Sequence, residues 1–346
     1  MYEQFFGFRE RPFDLTPNPR YLVLTESHRE ALSNLVYGIA SRKGITLLVG
    51  EAGSGKTTVI RTALEKQSNL VHCVHVHNPT LSRAEFVEML ANRFSLSPEA
   101  ARSKTTMLLE LEALLRERHE AGETTVLIID EAQSLPLDLL EEIRLLANIE
   151  TNDEKLISVI IAGQPEIVDR LNKESLRQLK QRIALRCQLR PLTLAETAAY
   201  IAGRIRAAGG VDARVFTREA VALIHERAQG LPRTINVIAD NALLGGLAAN
   251  QRPVGSQLVR EVCRDFDINA PSMAPAPRDG ALLDHVSSAR PAASVPAPPN
   301  GGPPVPAAKG SVPATSTSVA AERIERAASG IFGSFQKRKR FSFFWD

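Results

Sequence analysis

The chain has 346 residues, of which 44% are hydrophobic, and a formal net charge of +3; that is enough for one α/β domain, a second small domain and an extension. Its three cysteines, Cys73, Cys187 and Cys263, are odd in number and far apart, which excludes a disulfide framework and a CxxC zinc pair and suits a reducing compartment. Residues 319–346 carry six basic against three acidic side chains, so the whole excess sits there, the rest is neutral, and a broad electrostatic grip on nucleic acid by the core is not expected.

The amino terminus, Met1-Tyr2-Glu3-Gln4-Phe5-Phe6, has neither a basic nor an apolar signal region, so no secretory signal is expected. The chain holds no uninterrupted apolar run of about 18 residues either, so no spanning helix is expected and the cytoplasm is the expected compartment. Strand-like apolar runs occupy 45–49, 70–76, 125–130 and 156–162, with helical stretches between them. This alternation predicts a parallel sheet covered on both faces by helices.

After Pro191 the pattern is helical only. A helix is expected from Thr193 to Ala208, stopped by Gly209-Gly210, and a second from Thr217 to Gln229. Gly230-Leu231-Pro232-Arg233 turns into a third that reaches about Ala249, and Ser256 to Phe266 forms a fourth. Thr193 and Thr217 are the expected N-caps, with Glu196 and Glu219 in the first turns. The predicted organisation is an α/β core over 1–190 and a small all-helical lid over 191–268. A Pro/Ala-rich disordered linker is expected over 269–318 and an amphipathic, aromatic-basic tail over 319–346.

The residues Gly50-Glu51-Ala52-Gly53-Ser54-Gly55-Lys56-Thr57-Thr58 contain GxxxxGKT and directly follow the first apolar run. A buried strand delivers such a loop, glycines let backbone N–H groups wrap phosphates, and the next helix points its positive end at them. Lys56 is expected on the β- and γ-phosphates and Thr57 on Mg²⁺. The third run ends in Asp130-Glu131, at the carboxyl end of a strand, where α/β sheets bind ligands. Asp130 is expected to complete the Mg²⁺ shell and Glu131 to orient and deprotonate the attacking water. The competing reading is that both carboxylates cap the helix starting near Ser134-Leu135-Pro136.

His72, His75 and His77 surround the second strand, and His75 and His77 share one face by period-2 alternation. Two histidines do not complete a metal site, so a structural or sheet-edge role is expected.

Further segments carry a resemblance. These are Phe6-Gly7-Phe8, Pro12-Phe13-Asp14-Leu15-Thr16-Pro17 and Ser27-His28-Arg29-Glu30-Ala31-Leu32, followed in order by Asp130-Glu131-Ala132-Gln133, Ala162-Gly163-Gln164-Pro165-Glu166, Gln181-Arg182-Ile183 and Gly230-Leu231-Pro232-Arg233-Thr234-Ile235-Asn236. Over about residues 1–267 the chain resembles the ExeA-like (general secretion pathway protein A) branch of the AAA+ ATPases. The resemblance implies an AAA+ fold with a helical lid, binding of ATP with Mg²⁺, and homo-oligomers that share nucleotide sites. It also implies a client among envelope-assembly proteins of a secretion, pilus or exopolysaccharide system. Gln164 resembles the sensor-1 group, with a turn cap before Pro165 as its alternative. Arg182 matches the arginine finger, with Arg177 and Arg186 as rivals, and Arg233 resembles the lid's sensor-2 arginine.

Members of that branch typically continue into a membrane-spanning helix and a peptidoglycan-binding region. Neither is visible here, so direct peptidoglycan engagement is not expected. The tail over 319–346 is expected either on the inner-membrane surface or docked on a partner. The rival functional class is a DNA-associated AAA+ regulator of the transposition-helper type, against which the neutral core stands. A non-hydrolysing nucleotide switch is the third reading; Glu131 argues against it.

Overall fold

The computed structural model describes residues 1–268 apart from 17, 22, 68–69, 77–80 and 211–214. The expected linker and tail, and His77, lie outside the described residues. Among the described residues the strands are β1 (Ile45–Val49), β2 (Val71–Val76), β3 (Thr124–Ile129), β4 (Ile157–Gly163) and β5 (Ile183–Gln188). They form one sheet in the order β2-β3-β4-β1-β5, and every neighbouring pair is parallel.

Helix α1 (Tyr2–Phe6) and α2 (Glu26–Ala40) precede the sheet, and α3 (Lys56–Glu65) follows β1. Between β2 and β3 lie α4 (Arg83–Arg93), α5 (Pro98–Arg102) and α6 (Lys104–Glu120). Helix α7 (Leu137–Leu146) follows β3, and α8 (Glu166–Leu171) and α9 (Arg177–Gln181) join β4 to β5.

Strands β1, β3 and β4 are buried at every position, which is why they read as continuous apolar runs rather than alternating ones. Period-2 alternation still sorts their side chains. Leu47, Leu127 and Val159 face one layer with Phe86 of α4, Leu111 of α6 and Ile143 of α7. Leu48, Val126 and Ile160 face the opposite layer with Leu35 of α2 and Val59 and Ile60 of α3. Register places Leu47 opposite Ile161 of β4 and opposite Arg186 of β5.

The fifth strand is a difference from the four expected. In β5, exposed Ala184, Arg186 and Gln188 alternate with better-covered Ile183, Leu185 and Cys187. An edge strand needs only one protected face, so it shows no apolar run.

The remaining helices are α10 (Leu194–Ala207), α11 (Arg218–Ala228), α12 (Pro232–Ala248) and α13 (Ser256–Asp265). Thr193 caps α10 in a capping box with Glu196, and the Thr217 side chain accepts from the Ala220 N–H at the start of α11, as the sequence predicts. Their shared core includes Ile201, Ile205, Ile224, Ile235, Ala239 and Leu243. Tyr2, Phe6, Phe8 and Phe13 complete it, so the segment that begins the chain is packed with the helices that end the described part. Among the described residues no helix is long and apolar enough to cross a membrane.

Gly230 sets the entry into α12. Its φ is +71°, and a Cβ there would lie 2.2 Å from the Leu192 carbonyl oxygen, while its own carbonyl accepts from the Leu192 N–H at 2.9 Å. Gly230→Ala should therefore cost about 2–4 kcal/mol through backbone strain and steric conflict. Gly245, inside α12, has only an ordinary 3.5 Å neighbour at its Cβ position, so Gly245→Ala should stabilise by about 0.5–1 kcal/mol. Urea unfolding of both variants checks the pair; equal midpoints would contradict the geometry.

Candidate functional site

Fully buried β1 ends at Val49, and the loop Gly50–Gly55 leads into α3, whose first residue is Lys56. Gly53 and Gly55 adopt φ values of +77° and +97°, a left-handed backbone that glycine takes without a Cβ penalty. A Cβ on Gly50 would meet the Ser54 hydroxyl at 2.6 Å, and one on Gly53 would meet Arg233 Cβ at 2.5 Å. No side chain caps α3 at Gly55, which leaves its amino end available to an anion. The loop is thus a cradle with bare backbone, and it fits a phosphate chain.

Lys56 is only 5% exposed, and its Nζ donates to the carbonyls of Gly50 at 2.9 Å and Glu51 at 3.1 Å. Burial pushes its pKa down, against the opposing charges of Glu131, Asp130, Glu51 and Glu166. Thr57 Oγ1 donates to Asp130 Oδ2 at 3.1 Å, so the two oxygens expected around a divalent cation already face each other. Among the described residues no group of three or more His, Cys, Asp and Glu stands ready to hold a metal. Mg²⁺, which takes one or two carboxylates and otherwise water and phosphate oxygens, matches this donor set.

Asp130 Oδ1 accepts from the Glu131 N–H at 3.0 Å, and Glu131 adopts φ +50°. Neither carboxylate caps α7, which starts after Pro136 without a side-chain cap. Instead Glu131 Oε2 accepts from Gln133 Nε2 at 2.7 Å and from Gln164 Nε2 at 3.2 Å. The Gln164 N–H donates to Gln133 Oε1 at 3.0 Å, and Arg170 holds the carbonyls of Gln133 and Leu135. Burial would raise the Glu131 pKa, but the two amide donors and the nearby Lys56 charge hold it below the ordinary carboxylate value. Gln164 is therefore joined to Glu131 rather than serving only as a turn cap. His75 Nε2 lies 3.8 Å from Asp130 Oδ2, and His72 pairs with Glu123 at 2.6 Å, both on the edge strand β2.

A cleft of about 400 Å³ runs from the P-loop toward the lid. Gly53, Ser54, Gly55, Lys56, Thr57 and Thr58 line one end together with Glu131 and Arg233. The Arg233 N–H donates to the Gly53 carbonyl at 3.1 Å, so the start of α12 touches the phosphate loop directly. Glu51 and Ala52 are exposed, and Glu51 meets Lys56 through its carbonyl. Arg182 is exposed at the end of α9, just before the edge strand β5, and does not line this cleft. Arg177 and Arg186 are exposed as well. The structure thus brings Thr57 to Asp130, Gln164 to Glu131 and Arg233 to Gly53, and leaves Ala52 and the finger candidates exposed outside the cleft.

Sequence reasoning missed His28 and Gln133 as site residues. Both belong to quoted motifs, but neither motif says which atom it meets. His28 is buried beneath the loop, with Nε2 3.1 Å from the Ser54 carbonyl and Nδ1 2.7 Å from Thr25 Oγ1. A neutral ring donating to Ser54 and accepting from Thr25 satisfies both contacts. Burial lowers the His28 pKa, despite the Ser54 carbonyl, which raises it. The unfolded chain then binds a proton that the folded one refuses. Stability is present above the ordinary histidine value of 6.5 and falls as pH drops below it toward the folded pKa. Urea midpoints measured at about pH 7.5 and about pH 5.5 should differ less in His28→Asn than in the parent; an unchanged difference would show that His28 does not titrate this way.

Residues 39–171 match the family described as AAA domain. General secretion pathway protein A of Aeromonas hydrophila is 38% identical over 254 residues, which make up 73% of this chain and 46% of that protein. The chain thus spans less than half the length of this curated relative. Two solved structures share the fold. The Aeropyrum pernix ORC2 protein aligns over 74% of this chain and 71% of its own, with 19% identity and a TM-score of 0.57. Cdc6p of Pyrobaculum aerophilum aligns over 73% of this chain and 70% of its own, with 17% identity and a TM-score of 0.53. With a P-loop, a strand-end Asp-Glu pair and a helical lid carried on this fold, the chain belongs to the ExeA-like branch of the AAA+ family.

Proposed function

We propose that the chain is a Mg²⁺-dependent ATPase that works as a homo-oligomer in the cytoplasm and drives or regulates a secretion or related envelope system. The observation that carries the enzymatic part is the convergence of Lys56, the Thr57–Asp130 pair and the doubly held Glu131 at one end of a single cleft. Binding of nucleotide alone would not need Glu131. Support for the envelope role comes from the relationship to general secretion pathway protein A. The free thiols of Cys73, Cys187 and Cys263 agree with a reducing compartment.

In this reading the loop N–H groups and Lys56 bind the β- and γ-phosphates, and Thr57 and Asp130 hold Mg²⁺, which offsets phosphate charge when bound. Glu131 accepts a proton from the attacking water, and Gln164 and Gln133 orient its carboxylate. Arg233 approaches the phosphates from the lid. Arg182, exposed beside the edge strand, serves the site of a neighbouring copy.

Lys56→Ala should weaken ATP binding. Glu131→Gln should retain binding and lower steady-state turnover by about 10²-fold or more. Turnover at the parental rate in Glu131→Gln would remove Glu131 as the base. Produced beside the parental protein in its host, the same variant should poison export by the envelope system, and undiminished export would remove that assignment.

Arg182→Ala should also lose activity, since a finger supplies about 10³–10⁵ in rate. Mixing it with Lys56→Ala should restore part of the activity, because one variant contributes an intact site and the other an intact finger. No recovery, or a specific activity unchanged on dilution to monomers, would refute the shared site.

A further inference from the structure

Beyond the P-loop residues, the same cleft has two further walls. One is made by Asp14, Thr16, Asn18 and Tyr21 of the amino-terminal segment, and the other by Tyr200 of α10 and Asn236 of α12. Arg204 of α10 lies between them and is only 6% exposed. Its Nε donates to the Pro12 carbonyl at 2.6 Å and its Nη2 to the Asp14 carbonyl at 3.0 Å. Its Nη1 donates to the Tyr200 hydroxyl at 2.6 Å, which in turn donates to Asn236 Oδ1 at 3.0 Å. The guanidinium also stands 4.7 Å from the Tyr21 ring centre and 5.5 Å from that of Tyr200.

A buried cation is a costly way to join two segments that already share an apolar cluster containing Phe13, Tyr200 and Ile201, because a well-packed apolar side chain often does as well or better. What an arginine adds is direction: a planar fork with fixed donors that no aliphatic side chain supplies. Here the fork points at both walls. Asn236, where the chain of hydrogen bonds ends, lies three residues from Arg233 on the same helix. Residues three apart share a helix face, and Arg233 meets the P-loop at Gly53.

We propose that Arg204 is a positioning residue for the base end of the cleft, fixing the amino-terminal segment and α10 at the spacing and orientation in which a nucleoside triphosphate base is held. The inference rests on the nucleotide reading of the site and deepens it. Arg204 acts through the backbone at Pro12 and Asp14 and through Tyr200, not on the phosphates. Its removal therefore separates base binding from phosphate binding.

The test compares ATP and inorganic tripolyphosphate, each with Mg²⁺, on the full-length protein by calorimetry, for the parent, Arg204→Met and Arg204→Lys. Arg204→Met should bind ATP about tenfold more weakly, the loss of hydrogen bonds to a charged donor, with tripolyphosphate affinity within about twofold of the parent. In turnover the loss should appear in KM rather than kcat. Arg204→Lys keeps the charge without the fork and should not restore ATP affinity. Unchanged ATP affinity in folded Arg204→Met, equal losses for the two ligands, or full rescue by lysine would overturn the proposal. If Arg204→Met fails to fold, Tyr200→Phe, which deletes only the shared hydroxyl, decides by the same comparison of ligands. A parent that binds neither ligand would instead refute the nucleotide reading itself.

Discussion

A lysine ammonium buried at the amino end of a helix is the constraint around which this molecule is arranged. Lys56 is nearly inaccessible and sits where the α3 dipole is already positive. Two loop carbonyls and the carboxylates of Asp130 and Glu131 offset that charge. They can do so only because β3, which delivers the acidic pair, and β1, which delivers the loop, are separated by β4 alone. The same concentration of positive charge and uncapped N–H groups fits the loop to a polyphosphate, as proposed above.

The lid closes on this loop by backbone rather than by side chain alone. Gly230 permits the left-handed entry into α12, Pro232 begins the helix, and the Arg233 N–H reaches the Gly53 carbonyl. Glycine at position 53 leaves the room that the Arg233 side chain occupies. The amino-terminal segment is packed into the lid's own apolar cluster through Tyr2, Phe6, Phe8 and Phe13. A nucleotide in the cleft would therefore touch the P-loop on one side and, on the other, a body made from the two ends of the described chain.

Around Glu131 the balance of forces is local. A partly buried carboxylate ordinarily resists ionisation, yet two side-chain amides and Lys56 reverse the direction. Gln133 and Gln164 come from different strand ends and meet at one oxygen. Arg170 fixes the intervening turn by its carbonyls, so the Glu131 carboxylate is oriented by a small network rather than by its own rotamer preference.

Much of this was legible in the chain itself. Strands covered on both faces must be apolar throughout, so β1, β3 and β4 stood out, and the glycine-rich loop with Lys56 and Thr57 followed directly from β1. Helices α10 to α13 were readable from Thr and Gly punctuation, because caps and left-handed turns are local chemistry. Edge strand β5 was not, since one protected face leaves an alternating pattern that resembles a helix-flanking loop. Nor was the burial of Arg204, because an arginine on an amphipathic helix ordinarily points to water, and nothing nearby in sequence announces the carbonyls of Pro12 and Asp14. The meeting of Gln133, Gln164 and Glu131, the seat of His28 beneath Ser54 and the contact of Arg233 with Gly53 were likewise decided only by tertiary structure. Each joins residues whose local preferences are indifferent to one another, and only the packing of the sheet and lid brings them within hydrogen-bonding distance.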